Sequence, residues 1–390
     1  MLQVFKPSLG EEELDALREI FEIGWIGLGP KTAEFEERFA EYVGAKYAVG
    51  VNSATAALHL ACVVLGIGPG DEVIVPTITF VSTAHAPEYC GARAVFVDVE
   101  PDTLTIDVDD VRRKITPRTK AIIPVHYGGH ACRMDDLWDL AEEKGIAIIE
   151  DAAHACGSSY GGRKIGGLER SAMTCFSFQA VKNLAVGDGG MVTTNRVEVA
   201  TALRRLRWVG IDKSTWDRTE EATMEIESGI RRFAHYGWYY EVSELGYKYH
   251  MNDIAAAIGL VQLRKLDAAN ERRRAIAARY SNALSGVEWI ETPVEKPYTT
   301  SATHNYVIKT PFRDELNLHL RDKDVATGVH YMPIHLQPHY RNRQHGPLPV
   351  AERVWTKLLT LPLYPSLLDT DVDYVVESIL ALPTAREGRS

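Results

Sequence analysis

"CFSFQAVKNLAVGDGGMVTTN", residues 175–195, sets one lysine between an apolar run and a glycine-rich turn that opens into a second apolar run. The flanking runs, CFSF and GMVTT, read as short strands. Gly187, Gly189 and Gly190 mark the turn between them. Upstream the same rhythm recurs: "TAALHLACVVLG" reads as helix, "DEVIVP" as strand, "TFVSTAHAPEYCG" as helix and "ARAVFVDV" as strand. "TKAIIPVH" is again a strand, "MDDLWDLAEEKG" a helix and "IAIIED" a strand. Short apolar strands separated by helices predict an α/β protein with a mostly parallel sheet covered on both faces. Such sheets bind ligands at the carboxyl ends of their strands.

Two helices are expected ahead of this region. Leu14, Leu17, Ile20 and Phe21 form an apolar stripe that stops at Gly24, and Phe35, Phe39 and Tyr42 or Val43 form another before Gly44. Beyond residue 195, "VEVATALRRLRWVG" is helical and "HYGWYYEVSELGYKYH" irregular. The long helix "MNDIAAAIGLVQLRKLDAANERRRAIAARYSNAL" leads into a smaller C-terminal α+β domain. The change of domain is placed near residue 265, giving a large domain over 1–265 and a small one over 266–390.

The bulk numbers narrow the function. In 390 residues, 45% hydrophobic and 25% charged, 43 basic side chains face 53 acidic ones, a net −10. That balance argues against a general nucleic-acid or membrane-surface role, although a small basic pocket could still sit inside. Five scattered cysteines without a CxxC fit free thiols in a reducing cytoplasm. Neither a leader pattern nor a membrane-length apolar run is expected. His126, His130 and Cys132 in "HYGGHAC" have a spacing that could ligate a metal, but the glycines imply a loop and no second cluster completes a site. A P-loop and a GxGxxG fingerprint are both missing.

Four features at strand ends carry chemistry. Lys182, if desolvated, has a depressed pKa and an amine that attacks carbonyls; the plain alternative is a solvated charge. Asp151 ends its strand beside Glu150, and alternation sends only one of the two into a strand-end cleft; otherwise Asp151 caps the next turn. In "VNSATAALHLA", Ser53 and Thr55 open a helix whose amides could cradle a phosphate. Phe80 could stack on an aromatic ligand or belong to the core. Together, a lysine, an acid, a hydroxyl-rich helix start and an aromatic meet the requirements for holding pyridoxal 5′-phosphate.

The chain also resembles the DegT–StrS sugar aminotransferases, a family of fold-type-I pyridoxal phosphate enzymes. The likeness runs from "GWIGLGPKTAEFEERFAEYVGAKYAVGVNSATAALHLA" through "IEDAAHACGSSYGGRKIG", "FSFQAVKNLAVGDGGMV" and "LGYKYHMNDIAAAIGLVQLRKLD" to "GVHYMPIHLQPHY" and "LPLYPSL". It implies that Lys182 forms the Schiff base with the cofactor and shuttles protons, and that Asp151 pairs with the pyridinium nitrogen. His154 would stand beside the ring hydroxyl and Phe80 would stack on the ring. Thr55, the Ala56 amide and Ser177 would hold the phosphate. The family is an obligate dimer, so Lys248 or Asn252 would reach the phosphate of the partner chain. Trp25, His330, Tyr331 and His335 would bind the substrate.

Members that dehydrate carry histidine in place of the lysine, so Lys182 favours transamination. The common GEGG turn is GDGG here. The implied reaction passes an amino group from L-glutamate to a keto-sugar, nucleotide-linked and aminated at C4 or C3. The alternatives are another pyridoxal phosphate reaction on a sugar or a non-catalytic, ligand-sensing relative. Aromatic residues in "FAHYGWYYEV" would pack the dimer or stack on a base, and the arginines of "RRLRW" and "NERRRA" read as solvated helix faces.

Overall fold

The computed structural model describes residues 1–212, 221–226, 229–234 and 240–382. Helices α1 (Glu11–Ile23) and α2 (Pro30–Val43) precede β1 (Tyr47–Val51). Then α3 (Ala54–Val64), β2 (Glu72–Pro76), α4 (Ser82–Tyr89), β3 (Arg93–Val97), α5 (Val108–Lys114), β4 (Thr119–Ile122), α6 (Met134–Lys144) and β5 (Ala147–Asp151) alternate. Short strands β6 (Ser159–Tyr160) and β7 (Arg163–Lys164) lead to β8 (Met173–Ser177), β9 (Gly190–Thr194) and α7 (Val197–Leu206). An antiparallel pair, β10 (Glu221–Ile226) and β11 (Gly229–Ala234), follows. The C-terminal part holds α8 (Asp253–Leu284), β12 (Thr299–Thr300), β13 (Tyr306–Lys309), α9 (Arg313–Arg321), α10 (Pro349–Val354), β14 (Leu358–Leu361) and α11 (Asp369–Leu380).

The main sheet runs β1-β9-β8-β5-β4-β2-β3. The pairs from β3 through β8 are parallel, whereas β9 runs antiparallel to both β8 and β1. The turn after Lys182 is therefore a return connection that places β9 beside the strand it left. Both faces are buried, which explains the continuous apolar runs in the sequence. Val73 and Val75 point into one core cluster with α3 and α4, and Ile74 into the other with α2 and α6. In the second, Phe39 is fully buried and meets Phe176 and Phe178 edge-on at 5.0 and 5.3 Å.

Several expectations change. The α1 stripe is only partly buried: Ile20 is covered, but Leu14 and Phe21 are 48% and 63% exposed. The helix instead buries Glu13, which binds Gln262 and Lys265 of α8. Two of the arginines expected on solvated faces are buried, Arg207 at 6% exposure and Arg273 at 4%. Arg207 goes inside because it pairs with the buried Glu36 and donates to the Gly50 carbonyl at 2.6 Å. Residue 265 lies within α8, which continues unbroken, and a third core cluster takes up from Ile276 onward. Residues 235–239 of the aromatic stretch and the AREGRS tail lie outside the described residues. Among the described residues, no helix is long and apolar enough to cross a membrane.

Candidate active site

The strand-end residues gather as the alternation predicts. β5 sends Glu150 and Asp151 to opposite faces. Glu150 is wholly buried with His126, whose Nε2–H donates to Oε2 at 2.8 Å; His126 Nδ1 accepts the Cys132 amide at 3.1 Å. His130 uses Nδ1–H on the Ala131 carbonyl and Nε2 as acceptor for the Lys296 amide. Both histidines of HYGGH thus spend their ring nitrogens on protein groups.

Asp151, 4% exposed, accepts Thr83 Oγ1 at 2.8 Å on Oδ2 and the Ala153 amide at 3.1 Å on Oδ1. The local cap is real, yet it uses one oxygen only. Burial pushes the carboxyl above its ordinary value, opposed by Thr83, the Ala153 amide and the nearby Lys182. Lys182 sits in a turn closed by its own amide on the Gln179 carbonyl (2.8 Å) and by Val186 on Phe178 (2.9 Å). Burial lowers its amine to about 8, with Asp151 pulling the other way. At pH 7 an amine of pKa 8 is free of its proton about one time in ten, against about one in three thousand at the ordinary value. The lysine is therefore a buried, desolvated amine rather than a solvated charge.

Around the amine stand three histidines held neutral. His154, whose Nδ1 accepts the Gly128 amide at 3.3 Å, turns Nε2–H to Tyr331 Oη at 3.1 Å. Desolvation, then Lys182 and His330, holds His154 well below its ordinary value. His330 is lowered to about 4, first by burial and then by Lys182, and pairs with Thr360 Oγ1 at 2.7 Å. His304, which the sequence did not single out, lies with Nε2 at 3.4 Å from Lys182 Nζ. Phe80 is not core: it is 59% exposed, with its ring centroid 6.2 Å from that of Tyr331.

The helix start at α3 forms the other wall. Ser53 caps it, accepting the Ala56 amide at 3.1 Å, so that amide is engaged within the chain and is not free for a phosphate. The Ala54 and Thr55 amides, first in the helix, have no intrahelical acceptor. Thr55 Oγ1 meets Ser82 Oγ at 2.7 Å, and buried Ser177 ends β8 opposite Gly190. A Cβ on Gly190 would lie 2.6 Å from the Ser53 carbonyl carbon and 2.8 Å from the Ala54 nitrogen. Gly190→Ala must push the helix start away, at about 1–3 kcal/mol. We expect a lower denaturation midpoint together with weaker cofactor affinity in a spectral titration; unchanged affinity would detach this wall from the phosphate.

Not every expected residue joins the cluster. His335 is fully buried, with Nε2 to Glu352 (3.3 Å) and Nδ1 to Thr77 Oγ1 (2.6 Å), a brace beneath the end of β2 that no substrate can reach. Asn252 caps α8 through the Ala255 amide, and Lys248 lays Nζ 3.3 Å above the Trp208 ring. Trp25 donates Nε1–H to the Leu28 carbonyl in the loop before α2, whose first turn Asp253 holds through the Lys31 and Thr32 amides. These three belong to that loop and to the segment leading into α8 rather than to the Lys182 cluster.

The set fits pyridoxal 5′-phosphate: an amine for the aldehyde, a buried carboxylate for the ring nitrogen, an exposed aromatic for the ring, and free amides with hydroxyls for the phosphate. Comparison with known proteins agrees. Residues 7–380 match the DegT/DnrJ/EryC1/StrS aminotransferase family. The chain is 42% identical over 383 residues to the spore coat polysaccharide biosynthesis protein SpsC of Bacillus subtilis, covering 96% of this chain and 95% of SpsC. It superposes on the aminotransferase TlmJ of Streptoalloteichus hindustanus with a TM-score of 0.88 at 38% identity, covering 97% and 98% of the two chains. Spr1654 of Streptococcus pneumoniae, assigned as a sugar aminotransferase, is similar in its pyridoxal phosphate form (TM-score 0.86, 31% identity, 97% of each chain) and has also been solved in its pyridoxamine phosphate form. The fold is thus the fold-type-I transferase architecture, and the chain belongs to the DegT/DnrJ/EryC1/StrS aminotransferase family.

Proposed function

We propose that this enzyme takes an amino group from L-glutamate and passes it to a keto-sugar, a nucleotide-linked 4-keto or 3-keto deoxysugar. The observation that carries the reading is the desolvated Lys182 amine set over a buried Asp151 at the mouth of a parallel sheet. Pyridoxal 5′-phosphate, when bound, supplies an aldehyde to carry the nitrogen and a ring that accepts electrons from the carbon losing its proton. Asp151 would keep the ring nitrogen protonated. Lys182 Nζ, a base of pKa near working pH, would move the proton between the donor carbon and the cofactor carbon on the other side of the shared nitrogen. Thr55, Ser177 and the Ala54 and Thr55 amides would hold the phosphate, Phe80 would stack on the ring, and His154 would stand beside its hydroxyl.

A sugar acceptor is supported by the family and by Spr1654, and a polysaccharide precursor by the name of SpsC. A homodimer is supported by apolar side chains left exposed. Phe80 at 59% lies beside Tyr331, and Val242 at 62% and Leu245 at 88% precede in the chain the Lys248–Asn252 loop, which a second copy would bring to its neighbour's phosphate. Trp25, His330 and Tyr331 would then frame the sugar. Five free cysteines suit a cytoplasmic setting.

The test is the absorption spectrum of the purified protein before and after L-glutamate, followed by mass spectrometry with a panel of keto-sugar nucleotides. Loss of a visible band with release of 2-oxoglutarate, and a sugar gaining an amine in place of oxygen, is the expected result. A band that glutamate leaves unchanged would mean another donor or a reaction other than transamination.

A further inference from the structure

Behind Lys182 lies a hydrogen-bonded chain whose polarity can be read without hydrogens. Asn183 places Nδ2 at 2.8 Å from the Ala302 carbonyl and 2.8 Å from Asn270 Oδ1. A backbone carbonyl can only accept, so the group facing it is the NH2, and the amide cannot be the other way round. Oδ1 of Asn183 therefore faces His304 Nδ1, at 2.9 Å, and must receive its proton. A neutral imidazole with Nδ1 protonated has a lone pair on Nε2. That lone pair is aimed at Lys182 Nζ, 3.4 Å away.

His304 is kept neutral from several sides. It is buried, Lys182, His154, Arg273 and His330 disfavour its charge, and all of these lower its pKa well below the ordinary range. Arg273, 4% exposed with Nη1 lacking a partner among the described residues, is a fixed cation beside it. The ring itself cannot swing: Phe5 stacks on it at 5.2 Å with 4° between planes, and His154 lies 4.5 Å away on centroids.

We propose that His304 is a positioning residue for proton transfer: Asn183 fixes its tautomer so that Nε2 accepts from the Lys182 amine whenever that amine is free of the cofactor. One N–H is thereby anchored and the nitrogen lone pair is left to the substrate carbon. When Nζ takes the proton, the hydrogen bond to His304 becomes charge-assisted and strengthens, which favours the ammonium at the moment it forms. The contact is long for a hydrogen bond, as suits a lysine that must leave it to meet the cofactor's aldehyde. The inference rests on the reading of Lys182 as the cofactor lysine.

The experiment uses cofactor-stripped protein, so that its outcome does not depend on turnover. Competitive labelling with acetic anhydride across pH, mapped by mass spectrometry, gives the titration midpoint of the Lys182 amine. Asp151, His154, His304 and His330 are the titratable groups facing it. His304→Phe keeps the stack on Phe5 and removes the acceptor, and should move the midpoint down by about one unit. His304→Gln, whose Oε1 can stand where Nε2 stood, should move it back toward wild type, and Asn183→Leu, which frees the tautomer, should fall between. In the loaded enzyme His304→Phe should lower kcat about 10-fold with little change in the KM for glutamate, and raise the isotope effect of Cα-deuterated glutamate.

His304→Met stands in if the phenylalanine variant does not fold. A folded variant lacking the acceptor but with an unmoved midpoint would overturn the proposal, as would a glutamine variant shifted as far as phenylalanine. Failure of the transaminase reading would show separately, as a spectrum indifferent to glutamate beside an intact labelling shift.

Discussion

Replacing Lys182 with alanine is expected to lower amino transfer by about 10⁴-fold or more, because on the proposed reading one side chain supplies both the covalent link and the proton shuttle. Borohydride reduction of the wild-type protein with its cofactor should fix the adduct to residue 182, and the variant should give none. The fold should survive. Lys182 is a desolvated amine with one long polar contact, and removing it relieves burial as much as it loses bonding. A Lys182→Ala protein of normal denaturation midpoint that still transfers nitrogen at near wild-type rate would remove the lysine from the chemistry.

The same residue shows why the sequence was informative where it was. Strands β2, β5 and β8 are buried on both faces, so each reads as a mostly apolar run, and a polar residue closing such a run lies at the strand's carboxyl end. Asp151 and Ser177 were legible for that reason, and Lys182 from the glycine-rich turn that follows it. Glu150 and Asp151 were separable by alternation alone, although the buried partner waiting for Glu150, His126, was not foreseeable. His304 was illegible because its role comes from Asn183, 121 residues earlier in the chain, and from a tautomer that only the Ala302 carbonyl can fix. Thr83 was hidden in the same way, 68 residues from Asp151. The signal that could have raised His304 was a histidine just ahead of the apolar run Tyr306–Lys309, another strand-edge position.

Misreadings followed the opposite logic. His335 was expected to bind the substrate, yet its ring braces Thr77 and Glu352 in the interior. Arg207 looked solvated because charge at helical spacing usually is, and periodicity cannot announce a buried Glu36 on another helix. Leu14 and Phe21 looked like core for the mirror-image reason. For His335 and Arg207 a long-range partner outweighed the local pattern.

Asp151→Asn should have two effects of opposite sign, and the pair separates function from structure. An asparagine fits the space: its Oδ1 can keep the Ala153 amide, and its NH2 can face Thr83 Oγ1, which is free to turn its hydrogen to Thr79 Oγ1 at 3.0 Å. What disappears is the charge. On the proposed reading the carboxylate would be the partner of a buried pyridinium once the cofactor is bound, and removing one member of a buried ion pair costs about 3–5 kcal/mol. At about 1.4 kcal/mol per decade, kcat should fall on the order of 10²- to 10⁴-fold. Without the cofactor the sign reverses. Burial raises the Asp151 carboxyl above its unfolded value. Its ionised form is therefore disfavoured in the folded protein, and this subtracts stability at every pH above the unfolded value. Cofactor-stripped Asp151→Asn should accordingly unfold at a higher denaturant concentration than wild type at pH 7, and the advantage should vanish as pH falls through the unfolded carboxylate value. A buried carboxyl whose charge the fold itself disfavours is how a site prepared for a cation differs from a structural cap. If the variant loses activity and stability together, Asp151 is a brace for the β5 turn, and the partner of the ring nitrogen must be sought elsewhere.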